Sequence, residues 1–219
     1  MTLTIALQGI DCVVLGCDSR GTFGEPRGAQ AIIDVMIKAS VLAPHVGVLM
    51  GGAGELGDAL TEEFVTSHQN TNYDGVTEVM RQFRSHLAQK WNEYFATVPF
   101  EHRPPCIFTV GGLDPVGDKF TVPVIYTLPS VFGFAPSLHR YGFACGGVPV
   151  YATYILNRRY NRTSSPEALA GLVAFAIQET ASQDQRVGGP IKVSIVKPQG
   201  ITELSTPEIN ELLKEYYVE

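Results

Sequence analysis

Apolar and polar residues alternate at the start of the chain. In Met1-Thr2-Leu3-Thr4-Ile5-Ala6-Leu7, the large residues Leu3, Ile5 and Leu7 take turns with Thr2, Thr4 and Ala6, the period-two pattern of a half-buried strand. A turn at Gly9-Ile10-Asp11 leads into the apolar run Cys12-Val13-Val14-Leu15-Gly16-Cys17, which ends in Asp18-Ser19-Arg20. A second strand pair is expected at Val35–Lys38 and Val46–Met50, running into Gly51-Gly52-Ala53-Gly54. The period then becomes helical. Leu56, Leu60 and Phe64 mark a helix over 54–67, and Val76, Met80, Phe83, Leu87 and Trp91 form one stripe over 75–95.

Pro104-Pro105 breaks the chain before further strands at 106–111, 121–128 and 140–144, the first two joined by a Gly117-Asp118 hairpin. A helix over 148–160 follows Gly147. Another opens with Ser165 as N-cap and Pro166 in its first turn, with Leu169, Leu172, Val173, Ala176 and Ile177 inward. After strands at 192–196 and 202–204, Thr206-Pro207 starts a last helix with Ile209, Leu212, Leu213 and Tyr216 on its apolar face. Two strand blocks, each followed by helices, predict an α+β fold: two stacked antiparallel sheets flanked by helices, a four-layer α-β-β-α sandwich. No repeat or linker interrupts the 219 residues, so 1–219 reads as a single domain.

Composition narrows the functions open to this fold. A hydrophobic content of 45% with 17% charged residues and a net charge of −6 fits extensive burial, subunit contacts included, and argues against a nucleic-acid partner. No apolar stretch approaches the ~20 residues of a membrane span, and the first apolar segment lacks the basic flank of a signal peptide. The reading is therefore cytoplasmic, with no membrane. Cys12, Cys17, Cys106 and Cys145 form no Cys-x-x-Cys pair and have no His at metal spacing, so four buried thiols are expected, with no metal and no cofactor. The five histidines are scattered and no Gly-x-Ser-x-Gly elbow accompanies them. Gly51-Gly52-Ala53-Gly54 lacks the Lys-Ser/Thr of a phosphate loop.

What remains is the threonine at position 2. Removal of Met1 would put a hydroxyl and a free α-amino group on one residue at a strand end. An α-amino group titrates near pH ~8, so roughly a tenth is free base at pH 7. It can serve as general base for its own side-chain oxygen.

The order of a strand from Thr2, an Asp18-Ser19-Arg20 after the next strand, Lys38 ahead of a hairpin, and the Gly-rich junction at Gly51–Gly54 resembles the β-type subunits of the proteasome family. So do Ala144-Cys145-Gly146-Gly147 before a helix and Gln183-Asp184-Gln185-Arg186-Val187-Gly188-Gly189 before a strand. The likeness is greatest to bacterial homologues and covers essentially the whole chain. It implies an N-terminal-nucleophile (Ntn) hydrolase fold and a threonine-type endopeptidase in which Thr2 attacks the peptide carbonyl. Lys38 then supplies a positive field, Asp18 holds Lys38, Gly52 offers an oxyanion donor and Asp184 lies near the Thr2 amine. Lys38 is expected to matter for chemistry and not for folding, while Arg20 orders its loop. By the same matching, Met50 floors the primary specificity pocket and Gly21, Ser40 and Gly54 wall it. With no charge at those positions, cleavage after apolar residues is expected.

The resemblance also implies partners: a homo-oligomer of stacked rings, a peptide or unfolded-protein substrate, and an ATP-dependent unfoldase. The family's α-type subunits carry an N-terminal extension before the first strand. Met1 alone stands there in this chain, which favours the catalytic type. Two departures stand out. Gly147 and Val187 occupy positions where the family has serines that bond the amine, and the segment Gly21–Ala31 is longer than the pattern implies. These departures point to weak turnover. They keep open a second class: a catalytically weak or inactive structural homologue, or an Ntn amidohydrolase or acyl transferase acting on small substrates.

Overall fold

The computed structural model describes residues 2–24, 30–52, 54–140 and 142–217; Met1, and Glu25 and Arg27 of the long segment, lie outside them. From the N-terminal side come strands β1 (Leu3–Gln8), β2 (Val13–Cys17), β3 (Gly21–Gly24), β4 (Gln30–Ile33), β5 (Ala39–Ala43) and β6 (Val46–Gly52). Helices α1 (Gly54–His68) and α2 (Val76–Tyr94) follow, then β7 (Cys106–Val116), β8 (Lys119–Pro129), β9 (Ser137–Leu138) and β10 (Phe143–Gly147). The last elements are α3 (Val150–Arg159), α4 (Pro166–Gln183), β11 (Lys192–Lys197), β12 (Gly200–Glu203) and α5 (Thr206–Tyr217). The chain is α+β. One antiparallel sheet runs β10-β1-β2-β11-β12, a second runs β5-β6-β7-β8-β9, and β3 with β4 forms a separate ribbon.

Three apolar clusters hold these parts together. Ala6, Val13, Leu15 and Val196 of the first sheet meet Leu49, Leu113 and Ile125 of the second. Leu3, Ile5 and Leu7 face the other way, onto Leu169, Val173 and Ile177 of α4 and Leu213 of α5. On the second sheet, Val48, Met50, Phe108 and Val110 pack under Phe64 of α1 and Phe83, Leu87 and Trp91 of α2. β1 is therefore not the half-buried strand its alternation suggests, since all six of its residues are buried. Its large side chains fill the helix side, and Thr4 and Ala6 fit the narrower space between the sheets. Leu15 shows how close that approach is: a side chain at Gly47 or Gly111 would come within 2.5 or 2.8 Å of its methyl carbons.

Three other expectations change. Val35–Lys38 is not a strand, and β5 begins at Ala39. The backbone of this strap bonds elsewhere: Met36 N–H donates to the Ser19 carbonyl and the Lys38 carbonyl accepts from Met50 N–H. Its apolar Val35 and Ile37 are 80% and 57% exposed. The strand expected at 140–144 lies at 143–147, because Gly142 (φ 102°) sits against the Tyr160 ring, where a side chain would come within 2.2 Å of the hydroxyl. Of the four cysteines, all unpaired, Cys145 is only partly buried. The Ser165 cap does form, its hydroxyl accepting from Ala168 N–H at 3.1 Å.

Candidate active site

Thr2 precedes β1 and is 6% exposed. Its carbonyl accepts from Val148 N–H at 2.8 Å. On the other side, Leu3 N–H donates to Asp18 Oδ1 at 2.9 Å, and Asp18 N–H donates to the Leu3 carbonyl at 3.2 Å. The end of the strand is thus clamped from two neighbouring segments.

Asp18, at the end of β2, is completely buried. Its Oδ1 also accepts from Lys38 Nζ at 2.7 Å, while Oδ2 accepts from Arg20 N–H at 3.2 Å and Gly188 N–H at 3.1 Å. Lys38 Nζ makes a further bond to the Arg20 carbonyl at 2.6 Å. A buried ion pair is tolerated when its other polar groups are matched; here both Asp18 oxygens accept backbone N–H groups and the Lys38 ammonium has a second acceptor in the Arg20 carbonyl. Burial pushes the Lys38 ammonium below its ordinary pKa, with the Asp18 carboxylate opposing that shift.

Arg20 keeps its own charge outside this pair. Its guanidinium holds Asp34 through two bonds of 2.8 and 2.9 Å and donates to the Gln185 carbonyl at 3.0 Å. It lies directly over Gly188, where a side chain would come within 2.7 Å of its central carbon. Arg20 therefore ties the strap at Asp34 to the segment that supplies the Gly188 N–H. Its bond keeps the Asp34 carboxyl below the usual range.

Thr2, Gly21, Lys38, Met50, Gly52 and Gly54 line one cavity of about 510 Å³, together with Thr22, Met36, Ile37, Glu55 and Leu56. Met50 is pressed onto α1 at Gly57, where a side chain would come within 2.1 Å of the Met50 sulfur. Gly52 has φ 78°, and a side chain there would meet the Pro105 carbonyl at 2.3 Å, so only glycine fits.

Two residues matched by the sequence pattern are not in the lining of this cavity. Ser40 lines a separate cavity of about 550 Å³ with Leu15, Val48 and Ile201. Met36, Ile37 and Lys38 border both cavities, so the strap puts Ser40 on its far side. Asp184, just past α4, does not line the Thr2 cavity. Its carboxylate accepts from Arg186 Nε at 2.8 Å and from Arg186 N–H at 2.9 Å, and this partner draws its pKa down to about 2. The basic residue two positions on was the sign of this local pairing.

The two departures from the serine pattern also look different in three dimensions. Gly147 has φ 84°, and a side chain there would lie 1.7 Å from the Thr2 carbonyl oxygen. Position 147 is thus a glycine position, not a place from which a hydroxyl has been lost. Val187 is fully buried in the cluster between the first sheet and its helices.

The sequence pattern singles out neither Thr22 nor Glu55 of this lining. The Thr22 hydroxyl is buried with no partner among the described residues. Glu55 stands in the first turn of α1, where a carboxylate suits the helix dipole, and so reads in sequence as a helix start. Among the described residues, no group of three or more His, Cys, Asp or Glu could hold a metal. No helix among the described residues is long and apolar enough to cross a membrane.

No family model matches the chain. The chain is similar to proteasome subunit alpha type-4 of Saccharomyces cerevisiae, at 26% identity over 219 residues, spanning 96% of this chain and 79% of that protein. This weak similarity supports a relationship to the proteasome family. It does not extend to the β-type or to a bacterial affinity, since the relative is an α-type subunit.

Proposed function

We propose that the chain is a threonine-type endopeptidase subunit of a self-compartmentalising, proteasome-like ring. Its domain is a single four-layer α-β-β-α sandwich of the Ntn-hydrolase type, a reading supported by the three apolar clusters. The observation that carries the function is the buried Lys38–Asp18 pair on the wall of the cavity that Thr2 lines.

With Met1 removed, the free Thr2 amine takes the proton of its own Oγ1. The oxygen attacks the peptide carbonyl, and the Gly52 backbone N–H receives the developing oxyanion. The protonated amine gives its proton to the leaving amine, and a water then hydrolyses the Thr2 ester. The nearby Lys38 charge disfavours protonation of the Thr2 amine and so keeps more of it as free base. Asp18 holds Lys38 in place. Further copies of this chain are the proposed ring partners, peptides or unfolded chains the substrates, and an ATP-dependent unfoldase the supplier. The unpaired cysteines support a reducing, cytoplasmic setting.

A second reading, a structural subunit without peptidase activity, is favoured by the α-type name of the similar yeast protein and by the engagement of Asp184 with Arg186. Intact mass joined to active-site labelling separates the two. The peptidase reading expects a mass lacking Met1 and labelling by a peptide vinyl sulfone that disappears in Thr2→Ala. Retained Met1, or labelling that survives Thr2→Ala, removes Thr2 as nucleophile.

A further inference from the structure

The charges around the Thr2 cavity are unequal. Lys38 is 6% exposed and already spent on Asp18 and the Arg20 carbonyl. Glu55 is exposed on the same lining and has neither an ion pair nor a hydrogen bond among the described residues. Beside it the cavity offers the apolar side chains of Met36, Ile37, Met50 and Leu56. A guest that matches this lining has an aliphatic stem and a donor-rich cationic end. The stem lies along the apolar wall and the charge stays near water, where a carboxylate can meet it without full desolvation.

We propose that Glu55 is a specificity-determining residue and that the Thr2 cavity selects peptides carrying a lysine or arginine side chain. This refines the threonine-peptidase reading and reverses the apolar preference expected from the matched positions Gly21, Met50 and Gly54. Those positions stop at Gly54, the first residue of α1, and do not include Glu55 beside it, which lines the same cavity. Glu55 acts by charge complementarity at the rim, so the selectivity it gives falls with added salt.

Equilibrium binding tests the proposal without requiring turnover. Acetyl-Ala-Ala-Lys-amide and its norleucine counterpart, which keeps the stem and lacks the charge, are titrated into the Thr2→Ala protein by NMR, with and without Glu55→Gln. The lysine peptide is expected to bind about fivefold more tightly, the upper end for an exposed ion pair, and the ratio to fall to near one in Glu55→Gln. Glu55→Lys is expected to turn the preference toward the glutamate peptide. Equal binding of the lysine and norleucine peptides, or a lysine preference that survives Glu55→Gln, overturns the proposal. Failure of the catalytic reading shows separately: a protein with native Thr2 that binds lysine peptides through Glu55, yet neither cleaves them nor takes the vinyl sulfone label, retains this specificity and loses the peptidase assignment.

Discussion

Asp18 meets Lys38 at 2.7 Å with side chains 0% and 5% exposed, whereas Asp184 meets Arg186 at 2.5 Å with side chains 10% and 39% exposed. Contact distance hardly separates the two pairs, and both acids were candidates from the same sequence pattern. Their connections do separate them. The Asp18 carboxylate gathers Leu3, Arg20, Lys38 and Gly188, from four places along the chain, beside the threonine that precedes β1. The Asp184 carboxylate binds within its own turn, to the backbone and side chain of Arg186. The first carboxylate joins distant segments of the fold, and the second is bonded mainly to its near neighbour.

The comparison is broken most sharply at Lys38. Lys38→Met leaves Asp18 buried with its backbone donors and no counter-charge. The expected cost is about 3–5 kcal/mol, the range for removing one partner of a buried pair, read from urea unfolding. This outcome would set aside the expectation that Lys38 serves chemistry alone, since its 6% exposed ammonium is paired with a buried anion. A loss below about 1 kcal/mol would make the pair no different from a surface one.

Gly147→Ser sharpens the same contrast from the other side of Thr2. The substitution introduces the hydroxyl that the sequence pattern matched to this position, yet it needs a side chain at φ 84° and 1.7 Å from the Thr2 carbonyl. A destabilisation of roughly 2–4 kcal/mol is expected, with weaker vinyl sulfone labelling as Thr2 is displaced. A serine variant as stable as the parent and faster in labelling would contradict the geometry.

The smallest effect is expected at Asp184. Its folded pKa, about 2, lies below the ordinary 3.8, with the Arg186 bond as the main cause. A depressed carboxylate adds stability that is full above the unfolded value and is lost as pH falls through the folded one. Asp184→Asn should therefore lower the melting temperature by no more than a few degrees at neutral pH. It should also flatten the acid-side decline between about pH 4 and pH 2. A drop as large as that of Lys38→Met would erase the distinction between the pairs.

Much of the architecture was readable from local pattern. The helical stripe through Val76, Met80, Phe83, Leu87 and Trp91 is buried along α2, and the Ser165 cap starts α4. Thr2, Lys38, Met50 and Gly52 were singled out by their order along the chain, and the fold brings them to one cavity. Ser40 and Asp184 stand out in the same way but do not line it, and Glu55, which does, carries no signal beyond a helix start. The strap at Val35–Lys38 was mistaken for a strand because its alternation is right while its hydrogen bonds run to Ser19 and Met50.

The sequence by itself determined where elements begin and what period they follow, since both depend on residues a few positions apart: the alternation of β1, the stripe of α2, the glycines and prolines between them. Only the tertiary structure decided that β1 is covered on both faces, that Asp18 receives Lys38 while Asp184 keeps Arg186, and that Glu55 shares a cavity with Thr2. Those outcomes turn on burial and on meetings between segments as distant as Asp18 and Gly188. A local pattern states which side chain is offered, and the packing of the sheets and helices selects its partner.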